Sequence, residues 1–181
     1  MSHFKYFFLI LFFGSSLFSQ EAGFVANFKE QRLAQGEKHY EIAVELIKDK
    51  KYKECIDRLN DFLFMFPGHP STLKSLKLLS LAQKKSLSFR DSVQTDYLIY
   101  RENPTTEDGI SSYLDAGKKL FFIGKIREGK SVLETVKNQM YSSKLAKEAE
   151  IELKQNQILE EDSPVFKDDI SKNENIQNPI K

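Results

Sequence analysis

The chain has 181 residues, and its 27 Lys and Arg stand against 26 Asp and Glu, so there is no basic excess to draw it to nucleic acid. A single cysteine, Cys55, excludes an internal disulfide framework. Length and a 40% hydrophobic content predict one domain of about 140 residues with a continuous core.

Residues 1–19 have the layout of a signal peptide. Lys5 supplies the basic start, residues 6–13 an apolar run, and residues 14–19 a small, polar cleavage region that predicts a cut after Ser19. A retained anchor would need about 18 apolar residues, and Gly14, Ser15 and Ser16 interrupt the run first. The expectation is export to the periplasm or cell envelope of a bacterium, with no stable membrane insertion after cleavage and no lipid attachment, since no cysteine lies near the cut. Residues 20–35 read as a lead-in.

From residue 36 the chain repeats itself. Ala43, Ser80 and Gly117 are small residues spaced by 37, and Cys55, Ser92 and Gly129 follow the same step. Large residues keep it too, with Tyr52, Phe89 and Ile126 in one column and Phe62, Ile99 and Val136 in another. Leu46 and Leu120 make a third column, interrupted by Gln83, and Pro67 and Pro104 close the first two units where the third has Tyr141. Small residues recurring at this step predict close approaches between packed elements, because a side chain beyond Cβ would hold two backbones apart.

This pattern resembles the tetratricopeptide repeat, a helix-turn-helix unit of about 34 residues with a small residue in each helix and a proline after the second. The units then begin at Gly36, Leu73 and Ile110. The third reads closest to consensus, with Tyr113, Ala116, Gly117, Leu120, Gly124, Ile126, Gly129, Leu133 and Val136. The first has His39 where an aromatic or Leu is usual, and the second has Gln83 and Asp96 at positions that are normally apolar. The resemblance covers residues 36–141 and implies an all-α solenoid of three tetratricopeptide-like hairpins, within a repeat domain that runs with its capping helix over residues 36–159. Residues 142–159 would form the capping helix that a stacked array needs, with Ser142 or Ser143 as N-cap and Leu145, Ala149, Leu153 and Ile158 as its apolar stripe. The phrase FLFMFPGHP at residues 62–70 is similar to the repeat ends of exported bacterial members, such as the Tol-Pal accessory protein and the outer-membrane assembly lipoprotein. The chain has neither the lipid-bearing cysteine of the second nor, between Gln20 and Gly36, room for the coiled coil of the first.

Residues 124–131, GKIREGKS, also fit the phosphate-binding spacing GxxxxGK[ST]. On that alternative reading the chain is a small nucleotide-binding protein, with Lys130 on the phosphates and Ser131 on magnesium. The repeat register already accounts for Gly124 as a turn and Gly129 as a crossing residue, and no strand-helix alternation supplies the parallel sheet. No other chemistry shows: His39 and His69 lack metal-ligand spacing, and no nucleophile elbow or Cys-His signature occurs. No enzyme activity, cofactor or metal is expected. Residues 160–181 hold six acids and three bases and read as a disordered acidic tail.

The function the resemblance implies is a protein-interaction scaffold that receives a peptide or protein in a concave groove lined by each unit's first helix. Position by position, this gives Tyr40, Val44, Ile47 and Lys48; then Lys74, Lys77, Leu81, Lys84 and Lys85; then Leu114, Lys118, Phe121 and Phe122. A basic centre with apolar flanks suits a partner carrying acidic and apolar residues.

Overall fold

The computed structural model describes residues 27–162, with side chains to residue 158. The expected leader and cleavage site, and nearly all of the acidic tail, lie outside the described residues. Seven helices and no strand occur among those described, so this span is all-α. Helix α1 covers residues 27–48, followed by α2 (Tyr52–Met65), α3 (Thr72–Lys85), α4 (Phe89–Glu102), α5 (Glu107–Phe122), α6 (Ile126–Asn138) and α7 (Ser143–Asp162). The first helix thus starts nine residues before Gly36, inside the stretch read as a lead-in. The chain divides into two compact units between Ser75 and Leu76, within α3.

One turn recurs three times at the 37-residue step. The Lys51 amide donates to Leu46 O at 2.9 Å and the Lys50 amide to Ile47 O at 3.1 Å. Ser88 and Leu87 donate likewise to Gln83 O and Lys84 O, at 2.8 and 3.1 Å. Lys125 and Gly124 do the same to Leu120 O and Phe121 O, at 2.9 and 3.0 Å. This paired closure of a helix C-terminus needs a residue in the left-handed region. Lys50, Leu87 and Gly124 occupy it, with φ of 60°, 66° and 78°. The residues that follow, Lys51, Ser88 and Lys125, share φ of −84°, −82° and −86° and ψ of 64°, 60° and 60°, and lead directly into the second helix.

The paired helices then meet at the small columns. Cys55 Sγ donates to Ala43 O at 3.3 Å and Ser92 Oγ to Ser80 O at 2.8 Å. At the equivalent place in α6, a Cβ on Gly129 would stand 3.1 Å from Gly117 O and 2.8 Å from Phe121 Cδ2. In all three hairpins the second helix passes against the carbonyl of the residue twelve positions back, too close for a larger side chain.

The hairpins end differently according to whether proline follows. Phe66 and Asn103, each before a proline, share φ of −123° and −136° with ψ of 57° and 53°, as expected where Pro bars its predecessor from the helical region. The third ends at Gln139 in extended conformation. Gln139 Oε1 accepts from the Tyr141 and Ser142 amides at 2.6 and 2.9 Å, so a side chain shapes the connection that proline shapes elsewhere.

In the second unit, Ile110, Leu114, Leu133, Val136, Leu145 and Ala149 form one buried cluster, and Val93, Ala116, Leu120 and Val132 another. Tyr113 packs on both and stacks against Tyr100 with ring centroids 4.1 Å apart. Helix α7 buries Leu145 and Ala149 and rests Leu153 on the first cluster, while Ile158 is 58% exposed and lies beyond its edge. In the first unit Phe62, Phe66, His39 and His69 make a ring cluster. His69 Nδ1 accepts from the Ser71 amide at 3.0 Å, which leaves Nε2 to donate to Leu33 O at 3.0 Å.

Candidate functional site

The first-helix positions divide between the two units. In the first, Tyr40, Val44 and Ile47 are half-buried, whereas Lys48 and Lys74 are exposed. Lys48 is bridged to Glu45 at 2.7 Å. In the second, Lys77 meets Asp108 at 2.5 Å, Leu81 is exposed, and Lys84 and Lys85 project from the last turn of α3 without an ion pair among the described residues. Basic residues at a helix C-terminus also complement its dipole, so these two are held by the helix end without being neutralised.

Helix α7 engages another of the lysines. Lys118 Nζ lies 2.6 Å from Glu148 and 3.3 Å from Glu152. Burial pulls its pKa down, but the two carboxylates outweigh that and hold the ammonium above the ordinary lysine value. Lys118 therefore ties α5 to α7 and is not a free cation. Leu114 is corrected outright: it is buried in the core, because a residue one turn before Lys118 on the same helix faces the α6–α7 side. Phe121 is half-buried on that cluster, and Phe122, its neighbour, is 73% exposed. Of the expected basic face, the uncompensated charge in the second unit is Lys84 and Lys85.

A polar network occupies the crossing of α3 and α4. Lys119, buried on α5, donates to Asp96 Oδ2 at 2.5 Å and to Ser80 Oγ at 2.8 Å. Ser80 Oγ donates in turn to Asp96 Oδ1 at 2.5 Å and lies 3.0 Å from Ser92 Oγ. Burial pushes the Asp96 carboxyl above the usual carboxylate range, against the pull of Lys119 and Ser80. Nearby, Thr95 Oγ1 donates to Gln83 Oε1 at 2.8 Å. The two polar departures of the second repeat, Gln83 and Asp96, are thus each satisfied, and the second joins α5 to the α3–α4 pair. Sequence offered the acid as an anomaly but no signal for its partner, since Lys119 sits between Lys118 and Leu120 with nothing to mark it as inward.

The phosphate-loop spacing has a different setting from the one that chemistry uses. Residues 120–122 are the end of α5, Gly124 lies in the turn, and Lys130 and Ser131 lie exposed on α6. Helix, not strand, precedes the glycine. Cys55 is buried, and burial raises its thiol pKa to about 11. Among the described residues no three His, Cys, Asp or Glu side chains converge as metal ligands would. No known family's sequence profile matches the chain, and a search of curated proteins finds no match to it.

Proposed function

We propose that the chain is a non-enzymatic helical-repeat scaffold of the tetratricopeptide kind, exported to the bacterial envelope, that binds a peptide or protein through exposed positions on the first helix of each hairpin. The observation that carries the reading is the recurrence of one turn and one crossing at a step of 37 residues. Copies of a single supersecondary unit, each unable to bury both faces alone, are what such recurrence reflects, and arrays of this kind act by presenting surface. The site then lies on side chains that the fold leaves exposed, of which Lys74 and Leu81 are examples on α3. The envelope address rests on the leader in residues 1–19.

A photo-crosslinking residue placed at Lys74 or Leu81, and for comparison at the exposed second-helix position Glu134, tests this in cells that export the protein. Discrete adducts from the α3 positions and none from Glu134 are expected. The same adducts from all three positions, or none from any, refute the first-helix surface.

A further inference from the structure

Leu87 sits in the turn between α3 and α4 with a left-handed φ of 66° and is 75% exposed. The matching position in the next hairpin is Gly124, which takes the same conformation without steric cost. A leucine there strains the backbone and also puts an apolar side chain in water, and neither effect serves the fold. Phe122, at the end of α5, is 73% exposed, and its ring lies 4.5 Å from that of Phe89 at the start of α4. That contact brings the α3–α4 and α5–α6 turns together at one end of the second unit. Arg90 and Lys125 line a common hollow of about 250 Å³ there, which confirms the juxtaposition from a second pair of side chains.

The charge around these apolar residues is one-sided. Residues 84–91 and 122–128 hold five cations, Lys84, Lys85, Arg90, Lys125 and Arg127, against two carboxylates, Asp91 and Glu128. Lys125 is bridged to Glu128 at 2.8 Å, while Lys84, Lys85, Arg90 and Arg127 form no ion pair among the described residues. Protruding leucine and phenylalanine beside unpaired lysine and arginine are the makings of an interfacial membrane contact: the apolar groups enter the headgroup boundary and the cations meet anionic lipid.

We propose that this end of the second unit, with Leu87 and Phe122 at its tip and Lys84, Lys85 and Arg90 around them, docks reversibly on an anionic bilayer surface. The contact is adsorption at the interface, not a span; no described helix is long and apolar enough to cross a membrane. Charge complementarity selects the occupant. A rigid protein partner would need pockets shaped to two protruding side chains, whereas a lipid interface accepts them as they stand. The docking draws on Lys84, Lys85 and Phe122 at the ends of first helices but on neither Lys74 nor Leu81, the positions the crosslinking test probes, so it survives the failure of that test.

The chain contains no tryptophan, so Phe122→Trp introduces a single site-specific probe. The full-length variant is mixed with vesicles of phosphatidylcholine alone or with added phosphatidylglycerol, some carrying a brominated acyl chain. Tyr141→Trp, exposed beyond the far end of α6 about 20 Å away, is the control. The expected result is a blue shift and bromine quenching at residue 122 on anionic vesicles, with neither at residue 141. Adding Lys84→Glu and Lys85→Glu should lower the vesicle partition coefficient at least twentyfold, at about fivefold per cation lost, and Leu87→Ser should reduce quenching. No shift at residue 122, or equal shifts at both positions, overturns the proposal whatever the leader contributes to vesicle binding. A shift produced by a lipid-free acidic peptide and not by vesicles overturns it in favour of a protein partner.

Discussion

Removing either member of the Lys119–Asp96 pair should damage the protein far more than removing both. The side chains are 6% and 4% exposed, and each oxygen of Asp96 has a donor, from Lys119 on one side and Ser80 on the other. Asp96→Leu leaves a buried ammonium with a hydroxyl for company, and Lys119→Met leaves a buried carboxyl. Each change should cost about 3–5 kcal/mol, because desolvation of the survivor is no longer offset by its partner. For a chain of this size that lowers the melting temperature by roughly 6–20 °C. The double variant, Asp96→Leu with Lys119→Met, removes both charges and should lie near the wild type or up to about 4 kcal/mol above it, while Ser80 and Ser92 keep each other as partners. Urea titration followed by far-ultraviolet circular dichroism supplies the four values of the cycle. The pH dependence adds a sign. The folded-state pKa of Asp96 is raised, so the folded state holds that proton more readily, and the stability this group contributes is present below the ordinary aspartate value and lost as pH rises through its own. Relative to the double variant, the wild type should therefore gain stability as pH falls through the carboxylate range. If each single change costs less than about 1 kcal/mol, the pair is solvated in solution and the reasoning fails.

At the crossing of α5 and α6, Gly129→Leu should destabilise by at least about 1–3 kcal/mol, since even a Cβ there meets Phe121 and the Gly117 carbonyl; Lys130→Ala, exposed next door, should change stability by less than about 0.5 kcal/mol, and thermal unfolding separates the two. Any magnesium-dependent nucleotide binding abolished by Lys130→Ala would revive the phosphate-loop reading. Leu87→Gly should raise stability by about 1 kcal/mol in a urea titration through relief of its left-handed backbone, while weakening adsorption to anionic vesicles. The folded protein should resist a disulfide exchange reagent at about pH 8, because the Cys55 thiol is buried with a pKa near 11, and should react on unfolding; fast reaction in the native state would contradict its placement.

The helical hairpins were legible from sequence because their crossings select on size alone. Gly, Ala, Ser and Cys are all small, so the two columns stayed visible although no residue type repeats through either of them. The turns select on backbone conformation, and a left-handed position shows in sequence only when glycine fills it. Gly124 does so; Lys50 and Leu87 adopt the same φ and look like ordinary surface and core residues respectively. Leu87 therefore leaves no trace as an exposed group, since an apolar residue beside a turn reads as core, whereas the repeat register places Phe122 on the exposed face of a first helix. The same blindness hid the charge pairing. Lys77 and Lys118 fall at the outward positions of their helices, and nothing in a one-dimensional pattern reveals that Asp108 lies 31 residues on, or Glu148 30 residues on, at bonding distance. Periodicity gives the position of a side chain on its own helix, while the charge a surface presents depends on what the neighbouring helix brings to it. On that account Lys84 and Lys85, at a helix end that no acidic residue reaches among the described residues, are the lysines on which a binding experiment should turn.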